Sequence, residues 1–185
     1  MNNGIPECDG DNGRIGKPIE DIIIHCGEES CEFLGAVNVP IYQTSLFSRK
    51  NGESGYAYTR INNPTTEVVE RKLAELENAE GALLFSSGMA AITASVMRYI
   101  KTGSRIVSVK NVYLTVRDFF DDYLKDKFGV DTRYFNGGDY DDFLRAAADG
   151  TDIIYLETVV SNVFAIPEID KICAYAKERD IKVIV

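Results

Sequence analysis

Two stretches of this chain have residue types and spacing suited to chemistry: Tyr56-Ala57-Tyr58-Thr59-Arg60-Ile61-Asn62-Asn63-Pro64-Thr65 and Phe85-Ser86-Ser87-Gly88-Met89-Ala90-Ala91-Ile92. The second follows an apolar run, Ala82-Leu83-Leu84-Phe85, and opens an Ala-rich helical pattern. A strand that turns through Ser-Ser-Gly into a helix gathers free backbone N–H groups and the positive end of a helix dipole at one point. That arrangement suits an anion, most often a phosphate. The hydroxyls of Ser86 and Ser87 and the amides of Gly88 and Met89 can all be aimed at it. The same residues also describe an ordinary helix start with serine as its cap, and both readings stand. The first stretch adds a guanidinium fork at Arg60, which suits phosphate, and the hydroxyls of Tyr56 and Tyr58. The alternatives are a surface salt bridge for Arg60 and a half-buried packing role for Tyr58. With a cation beside it, Tyr58 is also a candidate acid or base.

Further candidates depend on the elements that position them. Strands are expected at Ala82–Phe85, Arg105–Val109, Asp131–Phe135, Asp152–Leu156 and Lys182–Val185. Helices are expected at Met89–Ile100, Val116–Lys125, Asp141–Ala148 and Pro167–Arg179. Asn63-Pro64-Thr65-Thr66-Glu67 starts an earlier helix, with Val69, Leu73 and Leu76 at helical spacing, and Ile19–His25 reads as a short amphipathic one. Such alternation predicts an α/β fold with a mostly parallel sheet and crossover helices. In such sheets functional groups stand past the carboxyl ends of strands. Tyr113 lies just past Arg105–Val109, where a planar cofactor can stack on it or where it packs on its own helix. Glu157-Thr158, Ser161 and Asn162 follow Asp152–Leu156 and can hydrogen-bond a ring substituent or cap the loop.

Composition narrows the partners. With 29 acidic and 20 basic residues the net charge is -9, which argues against a nucleic-acid partner. No apolar run is long enough to span a bilayer, so no membrane partner is expected. Cys8, Cys26, Cys31 and Cys173 follow no metal-ligand spacing, and His25 is the single histidine, so no metal site is expected. Residues 1–17 carry no hydrophobic signal region, and free thiols in such a chain point to the cytoplasm. Gly35–Tyr42 reads as extended because Pro40 blocks a helix interior. Met1–Pro18 reads as a flexible lead-in, and Lys50–Thr65 as a polar loop of the kind that makes ligand or subunit contacts. The last apolar run, Ile181–Val185, has no turn or covering helix after it, so the chain reads as a fragment.

Several stretches in order resemble the N-terminal half of the Cys/Met-metabolism family of pyridoxal-phosphate (PLP) enzymes, which includes cystathionine γ-synthase, the cystathionine lyases, methionine γ-lyase and O-acetylhomoserine sulfhydrylase. They are Pro40-Ile41-Tyr42-Gln43-Thr44-Ser45, Tyr58-x-Arg60-x-x-Asn63-Pro64, Ser86-Ser87-Gly88-Met89, Tyr113 and Tyr155-Leu156-Glu157-Thr158. The resemblance implies fold type I, the aspartate-aminotransferase-like PLP domain. Residues 1–62 would be an arm and loop segment contacting a neighbouring subunit, and residues 63–185 the first part of the large PLP-binding domain. It implies that Ser87, Gly88 and Met89 hold the cofactor phosphate. Tyr58 and Arg60 would reach that phosphate from a neighbouring subunit of a homodimer or homotetramer. Tyr113 would stack on the pyridine and move protons, with Tyr58 as a second catalytic candidate, and an Asn after Glu157 would meet the ring hydroxyl. The implied activity is elimination or replacement at Cβ or Cγ of a sulfur amino acid or an activated homoserine. The alternative is a non-catalytic partner or dimerisation module.

The sequence departs from the family at three places. Glu157-Thr158-Val159-Val160-Ser161-Asn162-Val163 stands where the family reads Glu-Thr-Pro-x-Asn-Pro. Ungapped alignment puts Ser161 at the family's Asn, whereas Asn162 needs a one-residue shift. Leu114-Thr115-Val116 replaces the frequent Gly-Gly-Thr. The family's Asp that keeps the pyridine nitrogen protonated would follow Val185. Its Schiff-base lysine would lie further on in a Ser/Thr-Lys motif, which none of the ten lysines here fits. These 185 residues alone are therefore expected to be inactive.

Overall fold

The computed structural model describes residues 18–26, 38–48 and 55–185. The lead-in up to residue 17, residues 35–37 of the expected extended run and residues 50–54 of the polar loop lie outside these, as do Cys8 and Cys31. Chain contacts separate two units, Met1–Leu84 and Phe85–Val185.

In the first unit, α1 spans Ile19–His25 and α2 spans Pro64–Leu76, both as expected from sequence. Asn63 starts α2: its side chain accepts from the Thr65 amide at 2.9 Å, and Pro64 occupies the first turn, where a missing N–H costs nothing. Lys72 Nζ donates to the Ile23 carbonyl at 2.9 Å, joining the two helices. The segment before residue 48 is tied to the Tyr58–Arg60 loop by an antiparallel bridge between Leu46 and Tyr58. Phe47 N–H donates to the Ala57 carbonyl and Thr59 N–H to the Ser45 carbonyl, each at 3.1 Å. Tyr56 gives its hydroxyl proton to Glu67, which also pairs with Arg71 at 2.5 Å. Burial first, then that carboxylate, push the Tyr56 hydroxyl well above the usual phenol range.

The second unit is a four-stranded parallel sheet in the order β2-β1-β3-β4. Its strands are β1 Arg105–Val109, β2 Asp131–Phe135, β3 Ile153–Tyr155 and β4 Lys182–Ile184. The helices are α3 Gly88–Met97, α4 Leu114–Asp118, α5 Lys125–Phe128, α6 Tyr140–Ala146 and α7 Ile169–Lys177. Buried apolar runs on β1 and β3, with Val116, Phe120, Leu124, Phe143 and Ile172 from the helices, form one core.

Three expectations need correction. Ala82–Phe85 is not a strand: it pairs with no other strand among the described residues, and Leu83 is 76% exposed. An apolar run without a hydrogen-bonding partner cannot become a ladder. Instead, the Leu84 amide donates to Glu70 at 2.9 Å. The helix expected at Val116–Lys125 starts earlier and ends later, and Phe119–Leu124 between α4 and α5 is π-helical. It stops at Gly129, whose left-handed φ of 64° a side chain would resist. The helix expected from Pro167 begins at Ile169 and ends at Lys177.

Gly137, past β2, is a point of close approach. A Cβ there would stand 2.8 Å from Val160 Cγ2, with Val109 and Ala165 behind. Because Val160 is itself buried, Gly137→Ala is expected to lower stability by about 1–3 kcal/mol, read as a drop in the urea midpoint.

Asp139 caps α6 by accepting from the Asp142 amide at 2.9 Å. Asp142 in turn accepts from the Asn136 backbone amide at 2.8 Å, which with Arg145 holds its carboxyl below the usual range. A lowered folded value means that the bond stabilises fully above the unfolded carboxyl value, about 3.9, and is lost as pH falls through the lowered one. The Asn136 amide resonance should therefore hold steady from neutral pH down to about 4 and move only below that.

Candidate active site

β1 continues to β2 on one side, whereas β3 continues to β4 on the other. The connections therefore diverge between β1 and β3, which makes their carboxyl ends a topological switch point, the place where ligands bind in sheets of this kind. Register places Ser108 beside Tyr155 there. Tyr113 and Glu157 both stand on that rim. Both oxygens of the Glu157 carboxylate accept from the Tyr113 backbone amide, at 3.0 and 3.1 Å. The Tyr113 side chain is 52% exposed, and its hydroxyl makes no hydrogen bond among the described residues. Tyr155 is buried at the end of β3, its hydroxyl pushed up to about 12 by burial and then by the charge of Glu157.

Ser87 is the N-cap of α3, its Oγ accepting from the Ala90 amide at 3.1 Å. The capping alternative is thus realised, yet it leaves the Ser87 hydroxyl proton available, because capping uses only a lone pair. The amides of Gly88 and Met89 have no acceptor among the described residues, as expected for a first helical turn. Ser86, Ser87 and Gly88 are exposed, and nothing lies within 4 Å of where a Gly88 Cβ would be. Two unspent amides and two hydroxyls with room in front of them fit a phosphate group.

Ser161 and Asn162 sit on an exposed turn closed by Val160 N–H donating to the Ala165 carbonyl at 2.9 Å and Phe164 N–H to the Val160 carbonyl at 3.0 Å. Asn162 has a φ of 66°, a conformation Asn adopts more readily than most residues. Its side chain makes no hydrogen bond among the described residues.

Tyr58 and Arg60 belong to the first unit. Tyr58 is half-buried and Arg60 exposed. The Arg60 guanidinium lies 4.9 Å from the Tyr58 ring centroid and pairs with no carboxylate among the described residues. A charged fork held only by a ring face keeps its donors available. Of the sequence-derived candidates, the second unit thus carries Ser87, Gly88, Met89, Tyr113, Glu157 and Asn162, and the structure joins Tyr113 directly to Glu157. That bond was not expected from sequence; the residues are 44 positions apart, and only the strand order reveals it.

A family model described as Cys/Met metabolism PLP-dependent enzyme matches residues 20–185. The chain is 39% identical over 175 residues to the L-methionine gamma-lyase of Treponema denticola, covering 88% of this chain and 43% of that protein. It is 33% identical over 157 residues to the homocysteine/cysteine synthase of Saccharomyces cerevisiae, covering 80% of this chain and 35% of that protein. The structure of cystathionine gamma-lyase from Lactobacillus plantarum complexed with L-serine superposes with a TM-score of 0.81 at 32% identity, over 90% of this chain and 44% of that one. The chain thus spans less than half the length of these relatives.

Proposed function

Because this chain belongs to the Cys/Met metabolism PLP-dependent enzyme family, we propose that the whole protein performs elimination or replacement at Cβ or Cγ of a sulfur amino acid or an activated homoserine. The observation that carries this reading is the exposed Tyr113, set by Glu157 at the switch point of the sheet, in the same unit as the unspent amides of Gly88 and Met89. Bound pyridoxal phosphate supplies an electron sink for carbanion chemistry. The chain's own residues bind, orient and move protons around it. The Gly88 and Met89 amides and the Ser87 hydroxyl bind the phosphate, with the α3 dipole favouring its charge. The Tyr113 ring offers a face for stacking, and its hydroxyl is the atom that carries a proton. Asn162 offers an amide to the ring hydroxyl. Tyr58 and Arg60, on the arm side of the chain, reach the phosphate bound by a neighbouring subunit, so the smallest competent assembly is a dimer.

The test uses the full-length protein with PLP and three substrates: L-methionine, cystathionine, and O-acetylhomoserine with sulfide. Release of a 2-oxo acid, or formation of a new thiol amino acid, from at least one of them is the expected result. A protein that holds PLP and turns over none would instead be a non-catalytic member of the fold.

A further inference from the structure

We propose that Glu157 is a positioning residue: by taking the backbone N–H of Tyr113, its carboxylate fixes where the Tyr113 ring stands past the carboxyl ends of β1 and β3. This rests on the reading of Tyr113 as the ring that meets the cofactor. It assigns Glu157 a task different from direct contact with that cofactor.

Three features carry it. First, the carboxylate is delivered by a fixed element. Glu157 follows Leu156, which is fully buried and whose amide donates to the Ile184 carbonyl at 2.8 Å. Second, Tyr113 has no side-chain cap, and its backbone is held from both sides. Its carbonyl accepts from the Val116 and Arg117 amides at 2.9 and 3.1 Å, while its amide is taken by Glu157. Third, the start of the same loop is held separately. The Lys110 amide donates to the Phe135 carbonyl at 2.8 Å, and the Lys110 carbonyl accepts from Arg117 Nη1 at 2.9 Å. Those bonds come from β2 and α4. Among the described residues, the Glu157 carboxylate makes the only hydrogen bonding that ties this loop to the loop after β3. A tyrosine that must lie flat against a planar ligand needs its backbone fixed, because a shift of one ångström undoes the stacking.

The two possible tasks of Glu157 separate by substitution. Glu157→Gln keeps an oxygen that accepts from the Tyr113 amide but removes the charge, whereas Glu157→Ala removes both. In the full-length protein, Glu157→Ala is expected to speed exchange of the Tyr113 amide by about 10-fold or more, measured with and without PLP. It should also weaken PLP binding by about 10-fold, while Glu157→Gln stays within about threefold of wild type in both. Equal loss of PLP affinity in Gln and Ala variants would show that the charge acts on the cofactor itself and overturn the proposal. Unchanged Tyr113 exchange in Glu157→Ala would overturn it as well. If wild type binds no PLP yet Glu157→Ala still frees the Tyr113 amide, the functional reading fails and the positioning bond stands.

Discussion

Arg60→Ala in the full-length protein is expected to weaken PLP binding by about 100-fold, equivalent to about 3 kcal/mol. The thermal midpoint should barely move. Arg60 is exposed and its guanidinium lies over the Tyr58 ring, in no ion pair among the described residues, so truncating it removes little from the fold. A guanidinium fork on a phosphate is another matter, since charge-assisted, paired bonds are the strong ones. Arg60→Lys keeps the charge but not the fork and should recover only part of the affinity. The proposed placement across a subunit boundary makes a sharper claim. At a PLP concentration too low to load either variant alone, mixing Arg60→Ala subunits with Tyr113→Ala subunits should restore about a quarter of wild-type activity, because half of randomly paired dimers carry one intact site. No recovery on verified mixing would place Arg60 in the site of its own chain.

Phe120→Ala is expected to cost about 3–5 kcal/mol and to give the largest fall in thermal midpoint of any single change discussed. Phe120 is fully buried on the π-helical segment and meets Tyr155 edge-on, with ring centroids 5.3 Å apart at 85°. Edge-to-face pairs add to the area buried. The cavity would open beneath Tyr155, two residues before Glu157, so the Tyr113–Glu157 bond should loosen along with the core. Phe120→Leu keeps most of the buried volume and should cost less. A small loss for Phe120→Ala would mean that the surrounding aromatic cluster collapses into the space.

Much of the fold was legible. β1 and β2 are five-residue runs bounded by turn residues, and the expected bounds match those observed. The start of α2 was legible because Asn63-Pro64 carries its own capping chemistry. Ala82–Phe85 misled because apolar character states a preference for burial without supplying a partner strand. The π-helical turn at Phe119–Leu124 leaves no mark in residue types; it depends on how Phe120 and Leu124 reach the core. Among the candidate residues, the places of Ser87, Gly88, Met89 and Tyr113 at a helix start or just past a strand end were legible because local order alone sets them. The bond between Glu157 and Tyr113 depends on β3 lying beside β1, a choice made by the sheet as a whole.

This chain is proposed to build part of a PLP site. The most direct test titrates PLP into the full-length protein, reduces with borohydride and maps the adduct by mass. One PLP per subunit, on a single lysine, is the expected result, with affinity lost on replacing Gly88 by a bulky residue such as Leu. A side chain there has room to be accommodated, since nothing lies within 4 Å of a Gly88 Cβ, and would crowd a phosphate held at the start of α3. Absence of a specific adduct, or an adduct whose affinity ignores Gly88→Leu, would contradict the proposal.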